Sequence, residues 1–326
     1  MKFLDLFAGI GGFRLGMESA GHECIGFCEI DKFARASYQA IHDTKGEIEL
    51  HDITAVSDEF IRGIGRVDII CGGFPCQAFS IAGNRRGFED TRGTLFFEIA
   101  WFASILRPKY LFLENVKGLL NHENGITFET IISTLDELGY NVEWQVLNSK
   151  DFGVPQNRER VFIIGHLRGE CTRRVFPLSS TGRQVDKHQE QSTNTLTTRY
   201  PNSQGVGSYI IESEQKKIKI KEATSQGYAE AEVGDSVNLS HPNSKTRRGR
   251  VGKQVANTLL TGESQGVIDP DFRIRKLTPR ECWRLQGFPD WAFDKAQEVN
   301  SNSQLYKQAG NSVTVNVIAA IAKEFK

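Results

Sequence analysis

From Lys2 to about residue 168 the chain alternates short apolar runs with amphipathic stretches. That is the pattern of a wound α/β sheet, in which buried strands are joined by helices laid across them. Strands are predicted over residues 2–8, 23–29, a short one near Ile48, then 67–71, 110–113, 141–147 and 160–165. Helices are predicted from Gly12 to about Ser19 and over residues 31–41, 95–106 and 128–138. From about residue 169 the character changes. Gly, Ser, Thr, Asn and Gln dominate, long apolar runs stop, and none of the four tryptophans falls there. Short strands and loops are expected in that stretch. After about Ile274 the earlier composition returns. Thr278-Pro279-Arg280-Glu281 reads as a helix start, with proline at the first helical position and Glu three residues after a threonine cap. Gln308-Ala309-Gly310-Asn311-Ser312-Val313 then leads into a final apolar helix ending at Lys326. The simplest organisation is a sheet domain made of residues 1–168 and 275–326, interrupted by a smaller, mostly β and irregular domain over residues 169–274.

Bulk composition narrows this only a little. In 326 residues, 39% hydrophobic and 25% charged fits a globular protein with a full core. No apolar run reaches the roughly 18 residues that span a bilayer. Residues 1–7 resemble a signal peptide faintly, but Asp5 interrupts them and glycines follow, so a buried strand and a cytoplasmic location are expected. The six cysteines include no Cys-x-x-Cys pair, which argues against a disulfide scaffold or structural zinc; Cys24 and Cys28 read as packing. Net charge is zero, yet residues 169–274 hold 15 Lys/Arg against 12 Asp/Glu, +3, and the remainder 25 against 28, −3. Lys245-Thr246-Arg247-Arg248-Gly249-Arg250-Val251-Gly252-Lys253 carries five cations and no acid, a footprint suited to phosphates.

Three clusters suggest chemistry. Phe7-Ala8-Gly9-Ile10-Gly11-Gly12 places glycines between a strand and a helix, where the backbone can approach a ligand. Glu29, 20 residues beyond Gly9, sits where an acid can hold ribose hydroxyls, and Asp52 where one can accept from an adenine amino group. Position 14 is Arg rather than the third glycine of a dinucleotide fingerprint, which leans away from NAD. Second, Ile69-Ile70-Cys71-Gly72-Gly73-Phe74-Pro75-Cys76 ends an apolar run in glycines and a proline. A thiol displayed there is a nucleophile candidate, provided that cations such as Arg158 and Arg160 favour its thiolate. Third, Glu114 closes the next strand and suits proton donation to a ring nitrogen if its pKa is raised. Asn194-Thr195-Leu196-Thr197-Thr198 recurs as Asn257-Thr258-Leu259-Leu260-Thr261, and two similarly built hairpins are expected.

Taken in order, these motifs resemble those of the DNA (cytosine-5)-methyltransferases, and closely those of the small bacterial and phage enzymes. The resemblance rests on Asp5-Leu-Phe-Ala-Gly-Ile-Gly-Gly12, Gly73-Phe-Pro-Cys-Gln-Ala-Phe-Ser80, Glu114-Asn-Val116, Gln156-Asn-Arg-Glu-Arg160, Arg275-Lys-Leu-Thr-Pro-Arg-Glu281 and Gly310-Asn-Ser-Val313. It implies a class I S-adenosylmethionine-dependent fold, Rossmann-like, with an inserted target-recognition domain. It implies that Cys76 adds to C6 of a flipped cytosine, that Glu114 protonates or hydrogen-bonds N3 with Arg158 and Arg160 in support, and that S-adenosylmethionine gives its methyl and leaves as S-adenosylhomocysteine, with no metal. Phe7, Gly9, Gly11 and Ile30 would line the cofactor, Glu29 its ribose, Asp52 and Ile53 its adenine, with Pro75, Leu95, Asn311 and Val313 completing the site.

The resemblance also assigns residues 169–274 to DNA recognition. Gln77, Ser80 and Arg92, on the loop after Cys76, would contact the DNA backbone. A recognition Thr-Leu pair is expected at Thr258-Leu259 or Thr195-Leu196, with the later pair favoured for its closeness to Arg275. Arg247, Arg248 and Arg250 would read bases or hold phosphates. Double-stranded DNA is the expected partner, with a cognate restriction endonuclease as a second; a monomer off the membrane is expected. The rival readings are a tRNA cytosine-5 methyltransferase, an inactive regulatory DNA-binding protein, and a nucleotide-dependent oxidoreductase.

Overall fold

The computed structural model describes residues 1–75, 95–178, 217–241, 244–262 and 264–326. The chain runs β1 (Lys2–Leu6), α1 (Gly12–Ser19), β2 (Glu23–Cys28), α2 (Lys32–Ile41), β3 (Ile48–Leu50), α3 (Asp58–Gly63) and β4 (Ile69–Gly73). It continues with α4 (Leu95–Leu106), β5 (Tyr110–Val116), α5 (Ile126–Glu137), β6 (Tyr140–Asn148) and β7 (Glu159–Leu167). These seven strands form one sheet in the order β3-β2-β1-β4-β5-β7-β6, with only β7 antiparallel to its neighbours. The chain fills one side of β1 and then returns on the other with β4. The carboxyl ends of β1 and β4 therefore flank the place where strand order reverses, the crevice in which wound sheets bind ligands.

Both faces of the sheet are covered, and alternate side chains divide between them as the two-residue strand period requires. Leu4, Leu6, Ile70, Leu111, Leu113 and Ile163 point into one core. Phe3, Ile69, Cys71, Phe112, Phe162 and Ile164 point into the other, against α1 and the last helix. Asp5 lies on that second face, fully buried, with no hydrogen-bond partner for either carboxyl oxygen.

The first strand stops two residues short of its predicted end because Phe7 takes a left-handed backbone, φ 57°. The helix predicted over residues 95–106 has those bounds. After residue 168 the chain does not leave the sheet at once. Val175 and Phe176 are buried in the second core, and their amides donate to the Glu143 carboxylate at 2.6 and 3.2 Å. Gln145 and Leu178 exchange hydrogen bonds, so this segment covers the edge strand β6.

The insertion holds a hairpin of β8 (Ile218–Lys221) and β9 (Tyr228–Ala231). Beside it are β10 (Ser236–Asn238), β11 (Val251–Gly252), β12 (Gln265–Ile268) and β13 (Ile274–Lys276), in the order β11-β10-β12-β13. Val175, Phe176 and Leu178 thus pack with the seven-stranded sheet, and the small sheet extends through Lys276 because β13 pairs with β12. The second copy of the repeat continues as Ser264-Gln265-Gly266-Val267: residues 257–261 are a loop, and residues 265–267 lie in β12, which pairs antiparallel with β13; the first copy lies outside the described residues.

The chain then closes with α6 (Pro279–Leu285), α7 (Asp290–Val299), α8 (Asn302–Asn311) and α9 (Val315–Ala322). Helix α6 starts with the predicted capping box, in which Thr278 and Glu281 satisfy each other's backbone amides. Helix α9 lies so close to α1 that a Cβ on Gly16 would stand 2.6 Å from Ile318.

Candidate active site

At the end of β1 the backbone takes positive φ three times within five residues, at Phe7 (57°), Gly9 (56°) and Gly11 (84°). The two glycines are needed for different reasons. A Cβ on Gly11 would strike the His42 ring, 2.1 Å from Nε2, whereas one on Gly9 would meet nothing within 4 Å. Gly9 thus leaves its backbone open to an approaching ligand. A non-glycine residue held left-handed, as Phe7 is, costs of order 1–3 kcal/mol and marks functional sites. His42, beneath the turn, is kept neutral: burial and then Arg14 push its pKa down to about 3.

Glu29, at the end of β2, accepts from the amides of Gly9 and Asp31, both at 2.7 Å. Burial raises its pKa, and those two amides oppose the rise. Beside it Ile30 is 69% exposed, an apolar face with nothing covering it. Asp52 caps a short 3-10 turn, accepting from the amide and hydroxyl of Thr54, which lower its pKa, and Ile53 is buried behind it. An acid, an open apolar side chain and an approachable glycine turn at one sheet edge suit a ribose, a purine and a polar tail. They fit S-adenosylmethionine.

The second half of the site lies at the ends of β4 and β5. Gly73 pairs with Glu114, and a Cβ on Gly73 would stand 3.1 Å from the Glu114 carboxylate, so glycine there makes room for the acid. Glu114 is buried, with Arg160 Nε 3.0 Å from its Oε1. Its pKa is raised by burial, against the pull of Arg160 and Arg158. Burial favours the protonated carboxyl and the two guanidinium groups favour the carboxylate, the opposition that suits a proton-donating acid. Asn115 donates from Nδ2 to the carbonyl of Phe74 at 2.9 Å, tying this strand end to the turn that leads into Pro75. Its positioning role was not anticipated from the sequence, although it stands inside the Glu114-Asn-Val116 motif. Pro75 is exposed at the rim, and Leu95, half-buried, reopens the described chain at the start of α4. Cys76, Gln77, Ser80 and Arg92 lie outside the described residues.

Arg158 is buried, and its charge acts on Glu114. Its guanidinium donates to the carbonyls of Gly310 (3.2 Å), Ser312 (2.8 Å) and Leu259 (3.5 Å). Burial and Arg160 work against its charge and Glu114 works for it; a guanidinium stays protonated regardless. Those bonds bring the late segment to the site. A Cβ on Gly12 would stand 2.8 Å from Val313, and one on Gly73 3.8 Å from it, so Val313 lies between the two strand ends. Asn311 is exposed beside it. Thr258 donates to the carbonyl of Asn157 at 2.7 Å, which puts the second Thr-Leu pair against the Gln156-Asn157-Arg158 loop.

The basic run of the insertion is largely committed elsewhere. Arg250 is buried and donates to the carbonyls of Asn238, Ser240 and His241, so its expected DNA contact is replaced by a structural one. Lys253 pairs with Asp235, and Arg248 donates to Ala223 while remaining exposed; Arg247 is half-buried. Among the described residues no three His, Cys, Asp or Glu side chains are grouped to hold a metal, and no helix is long and apolar enough to cross a membrane.

Known proteins are similar to this chain over nearly its whole length. A type II methyltransferase of Haemophilus parainfluenzae, M.HpaII, is 40% identical over 99% of this chain and 88% of its own length. M.HhaI of Haemophilus parahaemolyticus is 37% identical over 99% and 93%. An orphan methyltransferase of Bacillus phage SPR, M.SPRI, is 31% identical over 99% and 97%. The crystal structure of the S. pombe Dnmt2 methyltransferase superposes with a TM-score of 0.60 at 18% identity, covering 98% of this chain and 96% of that one, a likeness of fold. The family described as C-5 cytosine-specific DNA methylase matches residues 1–326. With the wound sheet, the open glycine turn and the buried Glu114 in place, the match over the whole length closes the argument: this chain belongs to the C-5 cytosine-specific DNA methylases.

Proposed function

We propose that the protein methylates C5 of a cytosine within a short specific site of double-stranded DNA, with Cys76 as nucleophile. The observation that carries this is Glu114. It is buried, raised in pKa, held by Arg160, and set against Gly73, three residues before Cys76. A neutral carboxyl there donates to N3 as the Cys76 thiolate bonds to C6. The C5=C6 electron pair is then directed onto C5. S-adenosylmethionine, held by the Phe7–Gly11 turn, Glu29, Ile30, Asp52 and Ile53 with Asn311 and Val313, supplies the methyl group. Loss of the C5 proton to water re-forms the C5=C6 bond, the C6–S bond breaks to release the Cys76 thiolate, and the N3 proton returns to Glu114.

C6 is out of reach inside a duplex, so the base must be flipped, at a cost of a few kcal/mol. Arg158 and Arg160 keep Glu114 oriented for it. Residues Gln77, Ser80 and Arg92 contact the backbone, while Thr258 with Arg247 and Arg248 belongs to target recognition. The protein acts as a cytoplasmic monomer, protecting DNA from a companion endonuclease or serving as an orphan or phage enzyme.

The test is transfer of label from tritiated S-adenosylmethionine into duplex DNA and into tRNA, with bisulfite sequencing of the DNA product. Label confined to one cytosine context of duplex DNA is expected, and Cys76→Ser should abolish it. Label in tRNA alone would overturn the substrate, and transfer by Cys76→Ser at near the wild-type rate would overturn the nucleophile.

A further inference from the structure

Three segments from distant parts of the sequence meet at two glutamines that are fully buried, an unusual place for that side chain. Gln156 uses its whole amide. Its Nε2 donates to the carbonyl of Leu285 (2.8 Å) and to Oε1 of Gln286 (3.3 Å), and its Oε1 accepts from the Leu259 amide (3.1 Å). Gln286 donates to the carbonyl of Ala309 (2.7 Å), and its Oε1 also accepts from the Thr314 hydroxyl (2.9 Å). Thr314 in turn shares a 2.8 Å bond with Ser149, and the Ser149 amide donates to the Arg158 carbonyl at 3.0 Å.

The peptide groups around Leu259 are therefore held at both ends. The Leu259 amide is bound by Gln156, and its carbonyl by Arg158, the residue that also holds Gly310 and Ser312 and whose charge acts on Glu114. The neighbouring backbone has no slack. A Cβ on Gly310 would lie 2.4 Å from the Leu260 carbonyl oxygen, and residues 155–157 exchange two amide bonds with Ala256 at 2.7 and 2.8 Å. A shift of the segment 256–261 must therefore move Arg158, and with it the charge balance at Glu114. Plain packing would not require that every polar atom of two buried amides be spent on three separate segments.

We propose that Gln156 and Gln286 are positioning residues, a buried latch that makes the chemical step depend on how the recognition segment 256–261 is seated on DNA. The inference rests on the reading of this site as a DNA cytosine-5 methyltransferase and adds to it a route from base recognition to the carboxyl. With the latch intact, a mismatched target leaves Leu259 and Arg158 displaced and Glu114 misplaced. With it cut, the segment and the site move independently.

The test compares wild type, Gln156→Met, Gln156→Glu and Thr314→Val on the duplex site found by sequencing and on the same site altered at one base. Gln156→Met removes the amide at nearly constant volume. It should lower kcat/KM on the true site by about tenfold or more and lower the true-to-altered ratio by a similar factor, mostly through kcat. Affinity for S-adenosylmethionine, measured by calorimetry, should change by less than about twofold. Gln156→Glu, its carboxyl protonated by burial, keeps one donor and one acceptor and should recover part of the ratio. Thr314→Val removes one hydroxyl, and with it the bonds to Gln286 and Ser149, and should lower the ratio by a few-fold; it decides the matter if Gln156→Met does not fold. A lower melting temperature with an unchanged ratio, in every variant that folds, overturns the latch and leaves the enzyme assignment intact. A wild type that labels no duplex DNA overturns both.

Discussion

The seven-stranded sheet and the inserted segment are held together by different physics. In the sheet, β1, β4, β5 and β7 bury nearly every side chain on both faces, and two large apolar cores do the work. The insertion, among its described residues, has a core of three buried side chains, Ala231, Val237 and Ile268, with four others packed around them. Buried charge takes over there. Glu222 accepts from the amides of Gly249, Arg250 and Val251, and Asp235 from those of Glu232 and Gln254 and from Lys253. Arg250 spans three carbonyls. A scaffold pinned by a few polar anchors leaves its outer loops free to carry different contacts, whereas the sheet must present fixed strand ends to one reaction.

The largest effect should come from the apolar side. Phe112→Ala, inside the second core, should cost about 3–5 kcal/mol and lower the midpoint of global urea unfolding. Glu222→Gln should cost less, about 1–3 kcal/mol, by turning an amide group toward backbone donors. Its signature is local: hydrogen exchange at residues 249–251 should speed up while β5 stays protected. If β5 loosens to the same extent, the two regions are one cooperative unit and the contrast fails.

The regions should also respond oppositely to pH. Burial raises the Asp5 carboxyl to about 8, against the pull of Arg14. The folded sheet therefore binds a proton that the unfolded chain releases, and it loses stability as pH rises from the ordinary carboxylate range toward about 8. Asp235 is the reverse. Burial raises it, but Lys253 and the two amides outweigh burial and lower its pKa, so its contribution is present above the unfolded value and is lost as pH falls through the lowered one. Asp5→Asn should remove the alkaline decline, a gain of about 1–2 kcal/mol near pH 8, and leave acid behaviour unchanged. Parallel curves for wild type and variant across pH 5–9 would contradict the assignment.

The same contrast explains what could be read in the sequence. Two-sided burial makes continuous apolar runs, so the sheet strands and the glycine turn were legible, as was the capping box at Thr278. Helices α7 and α8 were not, because Asp290–Val299 and Asn302–Asn311 are polar over much of their length and hide their buried faces. Arg250 reads as one more cation of a basic run; only the fold turns it inward. Gln156 stands in a motif that draws attention to its arginines, and Gln286 in no motif at all, yet both are fully buried. Nothing in a linear pattern distinguishes a buried glutamine from a solvated one.

In the proposed mechanism Glu114 gives a proton to N3 of the cytosine, and Glu114→Gln takes that group away. The substitution keeps the shape and removes the group that would give the proton. Initial rates of methyl transfer to duplex DNA should fall by about 10²–10⁴-fold, as expected for loss of a positioned general acid. The same protein should still bind S-adenosylmethionine, and it should melt no lower than wild type, since a buried carboxyl raised in pKa is relieved. A Glu114→Gln enzyme that methylates cytosine within a few-fold of the wild-type rate would contradict the account.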